Sequence, residues 1–395
     1  MNGASGMLAI PTAYTEGYAT ARMHDAVLAD NYMRHTGIGD PVLDAVFEEL
    51  STLPPGDLHR FIKAGIEQER GGLKTAPKVL REFFESVDSQ SPPWLDYEAF
   101  KPAVRVFNLN VTNMLVAFVC GVLIEGFSTL IAKSFAATGR VLSGKTAKRR
   151  LMQNNRHLLE VFYPGGLHRL GDGWKLSMRL RFVHGRVRNL LKHSGTWDEE
   201  TYGTPVSAAH LGLAMTVFSM RLLDYSRLTG ALFNREEAAS LMAVWRYAGY
   251  VMGVPETILY RNEDDARRIF EIGNLCEPNP DADSAKMANA LIEAVPITAG
   301  LTDPREQRIL RNLAYRISRG LIGNELANHL QFPQMFSVGA LWGWRMKQRV
   351  QQVVKSRQKI KYDNFTQLLQ ISVYDETGMT YRLPDHAESS KSSPW

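Results

Sequence analysis

The chain has 395 residues, 45% hydrophobic and 22% charged, with a formal net charge of +5 and a pI near 9.1, the profile of a globular protein with a large core. Its basic residues cluster around 145–192 and 345–361 rather than in one stripe interleaved with aromatics, so the charge carries no nucleic-acid fingerprint and reads as a solvated face plus counter-charges for an anionic cofactor. Cys120 and Cys276 lie far apart and without zinc-site spacing, which excludes a disulfide framework and a structural zinc site.

No Pro/Gly/Ser-rich or charged linker interrupts the apolar periodicity between about 40 and 353, which predicts one large domain over 36–358. An N-terminal arm, 1–35, precedes it and a C-terminal extension, 359–395, follows. The first residues have no charged n-region and too short an apolar run for a secretory signal. A cytoplasmic protein is therefore expected, or a secreted one if the start has been trimmed.

Within the domain, 37–41 reads as a turn and 42–53 (VLDAVFEELSTL) as an amphipathic helix stopped by Pro54 and Pro55. Helices are predicted over 58–69 and 76–87, the second with Pro77 near its start, where a missing N–H costs little. The SPPWLD stretch, 91–96, is a loop. Residues 111–131 are the most apolar run, yet Thr112, Asn113, Gly121, Glu125, Gly126, Ser128 and Thr129 are too many polar or small residues for a lipid-facing span. A central helix packed on all sides is expected, with Gly121 and Gly126 marking either close helix packing or the approach of a flat ligand.

Residues 145–162 (KTAKRRLMQNNRHLLEVF) predict a helix ending before Tyr163, Pro164, Gly165 and Gly166. Arg150, Gln153, Asn154 and His157 share one face of it, and Leu151, Leu158 and Phe162 another. After one short loop comes 175–192, KLSMRLRFVHGRVRNLLK, and helices so joined pack as antiparallel neighbours. Leu176, Leu180, Val183, Val187, Leu190 and Leu191 recur at threes and fours, and His184 lies in their stripe, so its imidazole turns toward the core. Arg179, Arg181, Arg186 and Arg188 flank it. A buried neutral imidazole edged by guanidinium groups is what a haem needs, with a nitrogen for iron and cations for propionates. The same pattern also describes a core histidine satisfied by a backbone carbonyl.

A loop is expected over 196–204, and helical periodicity resumes at 205 with PVSAAHLGLAMTVFSMRLL. Residues 234–253 open with an Asn cap and early glutamates, and Trp245, Arg246 and Tyr250 give that helix an aromatic and cationic side. Helices follow over 263–272, 283–294, 304–322 and 336–353. A hairpin turning at 375–378 is predicted within 362–383, before a polar, disordered tail after Pro384.

Several of these stretches resemble the haem-dependent rubber oxygenases, that is, the latex-clearing proteins and their MpaB-type relatives. The likeness is carried by GDPVLDAVFEEL, APKVLREFF, SPPWLD, ATGRV, RFVHGRVRNLL, PVSAAHLGLAMTVFS and WRYAGYVMGV, and it spans most of 39–275. It implies an all-α fold, a single large helical domain with globin-like helix packing around a haem pocket, and haem b bound through iron to His184. In that family the distal side carries an arginine, with a lysine and a threonine three and four positions later. Arg150 matches the arginine, while Gln153 and Asn154 stand in the other two places. A Gln amide is a poor iron ligand and a good hydrogen-bond donor, so the resting iron is expected to be five-coordinate or water-bound. The family's distal glutamate would fall near Ser134, where no carboxylate occurs; Glu125 is the nearest upstream acid.

The resemblance thus implies an oxygenase that adds dioxygen across an apolar, isoprenoid-like olefin and cleaves it to carbonyl products. Arg150, Gln153, Asn154 and, by position, Thr216 would act as catalytic residues, with His184, Arg150 and Arg188 holding the cofactor. A haem-binding protein without turnover and a haem-free helical interaction protein remain open as alternatives.

Overall fold

The computed structural model describes residues 8–138, 144–335, 339–354, 383–384 and 386–388. Every described element is a helix, and one continuous cluster of buried apolar side chains runs from Tyr14 to Phe332. The predicted hairpin and nearly all of the predicted tail lie outside the described residues.

The N-terminal arm is helical: Thr15–His24 and Ala26–Thr36 pack on the Glu263–Cys276 helix, with Asp25 capping the second by accepting from the Leu28 amide. Asp40 caps Pro41–Leu50 in the same way, and Pro55–Ile66 and Lys78–Ser89 follow. The helices predicted over 42–53, 58–69 and 76–87 thus occur, each displaced by a few residues.

The apolar run departs from the single helix expected over 111–131. Lys101–Ala117 continues through a π-turn, Phe118–Val122, into Leu123–Gly126, and the helix then breaks before Ile131–Ala137. The break has one local and one distant cause: the Ser128 hydroxyl donates to the Glu125 carbonyl, and the Leu130 amide donates to the buried carboxylate of Glu277. Residues Glu98–Gly126 are long and apolar enough to cross a membrane by composition, but 72% of their most apolar window is buried in the protein. Gly121 is a packing glycine, since a Cβ there would sit 2.4 Å from the Tyr225 ring.

Gly144–Val161 packs beside Asp172–Lys192, and both touch Arg235–Val251, which begins with a full capping box between Asn234 and Glu237. Ala208–Thr216 passes through a second π-turn, Val217–Arg221, into Leu222–Thr229. The expected loop over 196–204 contains a short helix, Glu199–Tyr202, capped by Asp198. Ala282–Thr298, Pro304–Ile322 and Ala340–Val354 complete the packing.

Candidate functional site

The His184 helix is fixed from both ends and along one side. The turn before it is so tight that a Cβ on Gly166 would lie 1.8 Å from the Glu160 carbonyl oxygen, and Asp172 and Lys192 complement the helix dipole. Gly185 lets Phe47 approach: a Cβ there would fall 2.7 Å from that ring. The flanking arginines bind protein carboxylates and carbonyls. Arg181 donates twice to Asp40, at 2.5 and 3.0 Å, and Arg179 donates to Glu67 at 2.9 Å. Arg188 donates to Asp44 at 2.8 Å and to the Val206 carbonyl at 3.1 Å, and Arg186 to the Pro384 carbonyl at 3.1 Å. Three of the four therefore pin this helix to the Pro41–Leu50 and Pro55–Ile66 segments.

His184 stands between Arg181 and Arg188 on one face of the helix, three residues after the first and four before the second. Its Nδ1 is fully buried and has no hydrogen-bond partner among the described residues. The residue nevertheless keeps some accessible surface. Burial, then the nearby charges of Arg188 and Arg150, lower its pKa to about 3, so the imidazole is neutral at physiological pH.

The same electrostatics place Arg150 and His157, both from Gly144–Val161, in the field of His184. Arg150 lies over the Phe135 ring at 4.3 Å. Gln153 and Asn154 follow it at helical spacing and stay partly accessible. His157 is buried deeper; its Nε2 meets the Ser177 hydroxyl at 2.8 Å, Ser177 in turn donates to the Gly173 carbonyl, and burial lowers its pKa to about 4. Leu180, Val183, Phe127, Phe135 and Phe218 are also only partly buried. Phe127 and Phe135 meet edge to face at 5.7 Å, and a Cβ on Gly126 would reach Phe218 only at 3.9 Å, so Gly126 leaves open space where Gly121 does not.

Other sequence candidates are engaged by the fold. The Thr216 hydroxyl donates to the Leu213 carbonyl at 2.7 Å and has no exposed surface. Ser134 accepts from the Val206 amide, and Glu125 is held by Arg221 through Nε at 2.9 Å and a terminal nitrogen at 3.0 Å. Sequence reasoning missed one buried polar cluster entirely. Glu277 accepts from Tyr32 at 2.6 Å and from the Leu130 amide at 2.9 Å, and lies 3.4 Å from His210 Nε2. Tyr14 meets the same His210 nitrogen at 3.0 Å, and Ser207 meets Nδ1 at 3.1 Å. Burial would raise the Glu277 carboxyl pKa, but His210, Tyr32 and the Leu130 amide outweigh it and leave the pKa lowered. Its members are scattered from 14 to 277 with no local spacing, so no signal in the linear chain could have joined them.

Helix count, order and packing define a class, the all-helical fold of latex clearing protein. A solved structure of that protein in its closed state superposes with a TM-score of 0.65 at 18% identity, over 85% of this chain and 91% of the other. The chain itself belongs to the family described as ER-bound oxygenase mpaB/B'/Rubber oxygenase, catalytic domain, which matches residues 104–354 and so includes His184 and the facing Arg150 helix. It is thus an oxygenase-type domain. No curated protein matches it.

Proposed function

We propose that this chain is a haem b-dependent oxygenase that cleaves a carbon–carbon double bond of an apolar, isoprenoid-like substrate with dioxygen, giving carbonyl products. The observation that carries the reading is the state of His184: neutral, partly accessible, and with a buried Nδ1 that no described residue satisfies. Neither ring nitrogen is hydrogen-bonded to a described residue, which fits a ring reserved for a bound group, and with Nδ1 buried it is Nε2 that such a group would take. Among the described residues no three His, Cys, Asp or Glu side chains gather at one point. A porphyrin brings its own four nitrogens, so a single imidazole suffices for it.

Bound beside His184, the haem would supply the iron that activates dioxygen. The chain's residues do the rest. Burial, with Arg188 and Arg150 adding to it, keeps the imidazole unprotonated, so its lone pair is available to a metal. Arg150 and the amide N–H groups of Gln153 and Asn154 present donors on the facing helix, where they orient dioxygen by hydrogen bonding. Leu180, Val183, Phe127, Phe135 and Phe218 offer apolar surface to an olefin and exclude water. Ser134 supplies no carboxylate and Glu125 is tied to Arg221, so the reaction proceeds here without a carboxylate base at that position.

A second reading, haem binding without turnover, is favoured by Gln153 and Asn154 standing where the latex-clearing relatives carry lysine and threonine. Two measurements separate the readings. Purified protein supplied with haem is expected to show a Soret band that His184→Ala lacks, and absence of the band in the wild type overturns both. Oxygen uptake with an unsaturated isoprenoid, accompanied by carbonyl products, supports the oxygenase; a Soret band with no uptake leaves only the second reading.

A further inference from the structure

A separate cleft of about 540 Å³ opens between the start of Arg235–Val251, the start of Glu263–Cys276 and the 94–100 segment. That volume falls in the range of small-molecule sites. Its lining does not include His184 or the facing Arg150 helix. One wall is apolar, with Trp94, Phe100, Phe233 and Met242 beside small alanines.

Arg246 lines the same cleft. Its guanidinium lies over the Trp94 ring at 3.7 Å, and the indole N–H is itself held by Glu256 at 2.5 Å. Arg246 makes no hydrogen bond or ion pair to a described residue, and its Nε is fully buried. Of the other lining cations, Arg261 pairs with Asp265 at 3.2 Å and Arg227 with Asp224 at 3.4 Å, while Arg235 stands exposed at the helix start. Of the lining carboxylates, Glu263 accepts from Arg267 at 2.8 Å and Asp96 from the Glu98 amide at 2.9 Å, leaving Asp264, which is exposed. Glu256 adds a nearby negative charge, but its carboxylate accepts from the Trp94 indole. A guanidinium packed in place by an aromatic ring, with no described acceptor on its terminal nitrogens and an apolar wall beside it, is placed to receive a planar anion.

We infer that this cleft binds a small carboxylate carried on a flat or chain-like apolar body, the carboxylate on Arg246 and the body against Trp94, Phe100 and Met242. The inference rests on these residues alone and stands whether or not His184 takes haem. Its probe is 2-naphthoate, titrated calorimetrically into the full chain beside the neutral 2-naphthamide. Saturable binding is expected, about tenfold or more weaker for the amide and for Arg246→Gln, as loss of charge-assisted hydrogen bonds implies. Arg246→Lys, which keeps the charge, should retain part of the affinity. Ala239→Phe fills the cleft from an exposed lining position, so it should abolish binding while leaving the far-UV circular dichroism unchanged. With haem supplied, the Soret band should not move on naphthoate binding. Equal affinity for acid and amide, an unaffected Arg246→Gln, tighter binding of inorganic phosphate than of naphthoate, or a Soret shift that tracks the titration would each overturn the proposal.

Discussion

Two histidines of this helical domain have opposite fates. His210 has both ring nitrogens engaged, by Tyr14 and Glu277 on one side and Ser207 on the other, and it ties the N-terminal arm to the Glu263–Cys276 helix. His184 is buried at Nδ1 and bonded to nothing described. A fold that satisfies one imidazole so completely has the means to satisfy the other. The difference therefore separates a histidine that holds the protein together from one kept for a partner outside the polypeptide.

The comparison can be broken most forcefully at Glu277. Glu277→Ala leaves His210 and Tyr32 buried without their acceptor and should cost about 3–5 kcal/mol in urea unfolding, while haem stoichiometry in the surviving folded fraction stays that of the wild type. Arg188→Ala removes the strut to Asp44 and the Val206 carbonyl; a loss of about 2 kcal/mol is expected, because Asp44 remains a third exposed and is partly screened. His157 gives a pH test. An unfolded imidazole takes its proton near pH 6.5, whereas the folded one does so only near 4. The unfolded state thus binds more protons between those values, and stability falls as pH drops through them. Between pH 7 and 5 this contributes about 2 kcal/mol, so His157→Phe should lose that much less on acidification.

The subtler tests fall on His184 and its facing helix. In haem-free protein His184→Leu should be neutral or stabilising by about 1 kcal/mol, since it removes an unsatisfied buried atom, whereas His210→Leu should destabilise. A large stability loss from His184→Leu would erase the distinction between the two rings. Gln153→Lys should leave stability within about 0.5 kcal/mol and shift the ferric haem spectrum from a five-coordinate or water-bound type to one with nitrogen on both faces.

Much of this was legible in the chain because it is local. Local spacing and capping chemistry revealed the His184 stripe, the Asn234 cap and the shared face of Arg150, Gln153 and Asn154, all of which depend on residues close together in one helix. What stayed hidden depends on chain folding back on itself. The flanking arginines read as counter-charges for a cofactor, yet Asp40, Asp44 and Glu67, over 100 residues earlier, take three of them. The break after Gly126 likewise needs Glu277, 147 positions from Leu130, to capture an amide that would otherwise continue the helix. Arg246 appeared as one cation on an aromatic helix side; only the folded chain shows Trp94 stacked on it and no described residue accepting its hydrogen bonds.

The central claim is that the His184 ring is the protein's bond to iron, and rescue by a free ligand tests it most directly. His184→Gly protein, mixed with haem and titrated with imidazole, should show no stable Soret complex until imidazole fills the vacated place, and then recover a spectrum like that of the wild type. A variant that holds haem with the wild-type spectrum in the absence of imidazole would contradict it.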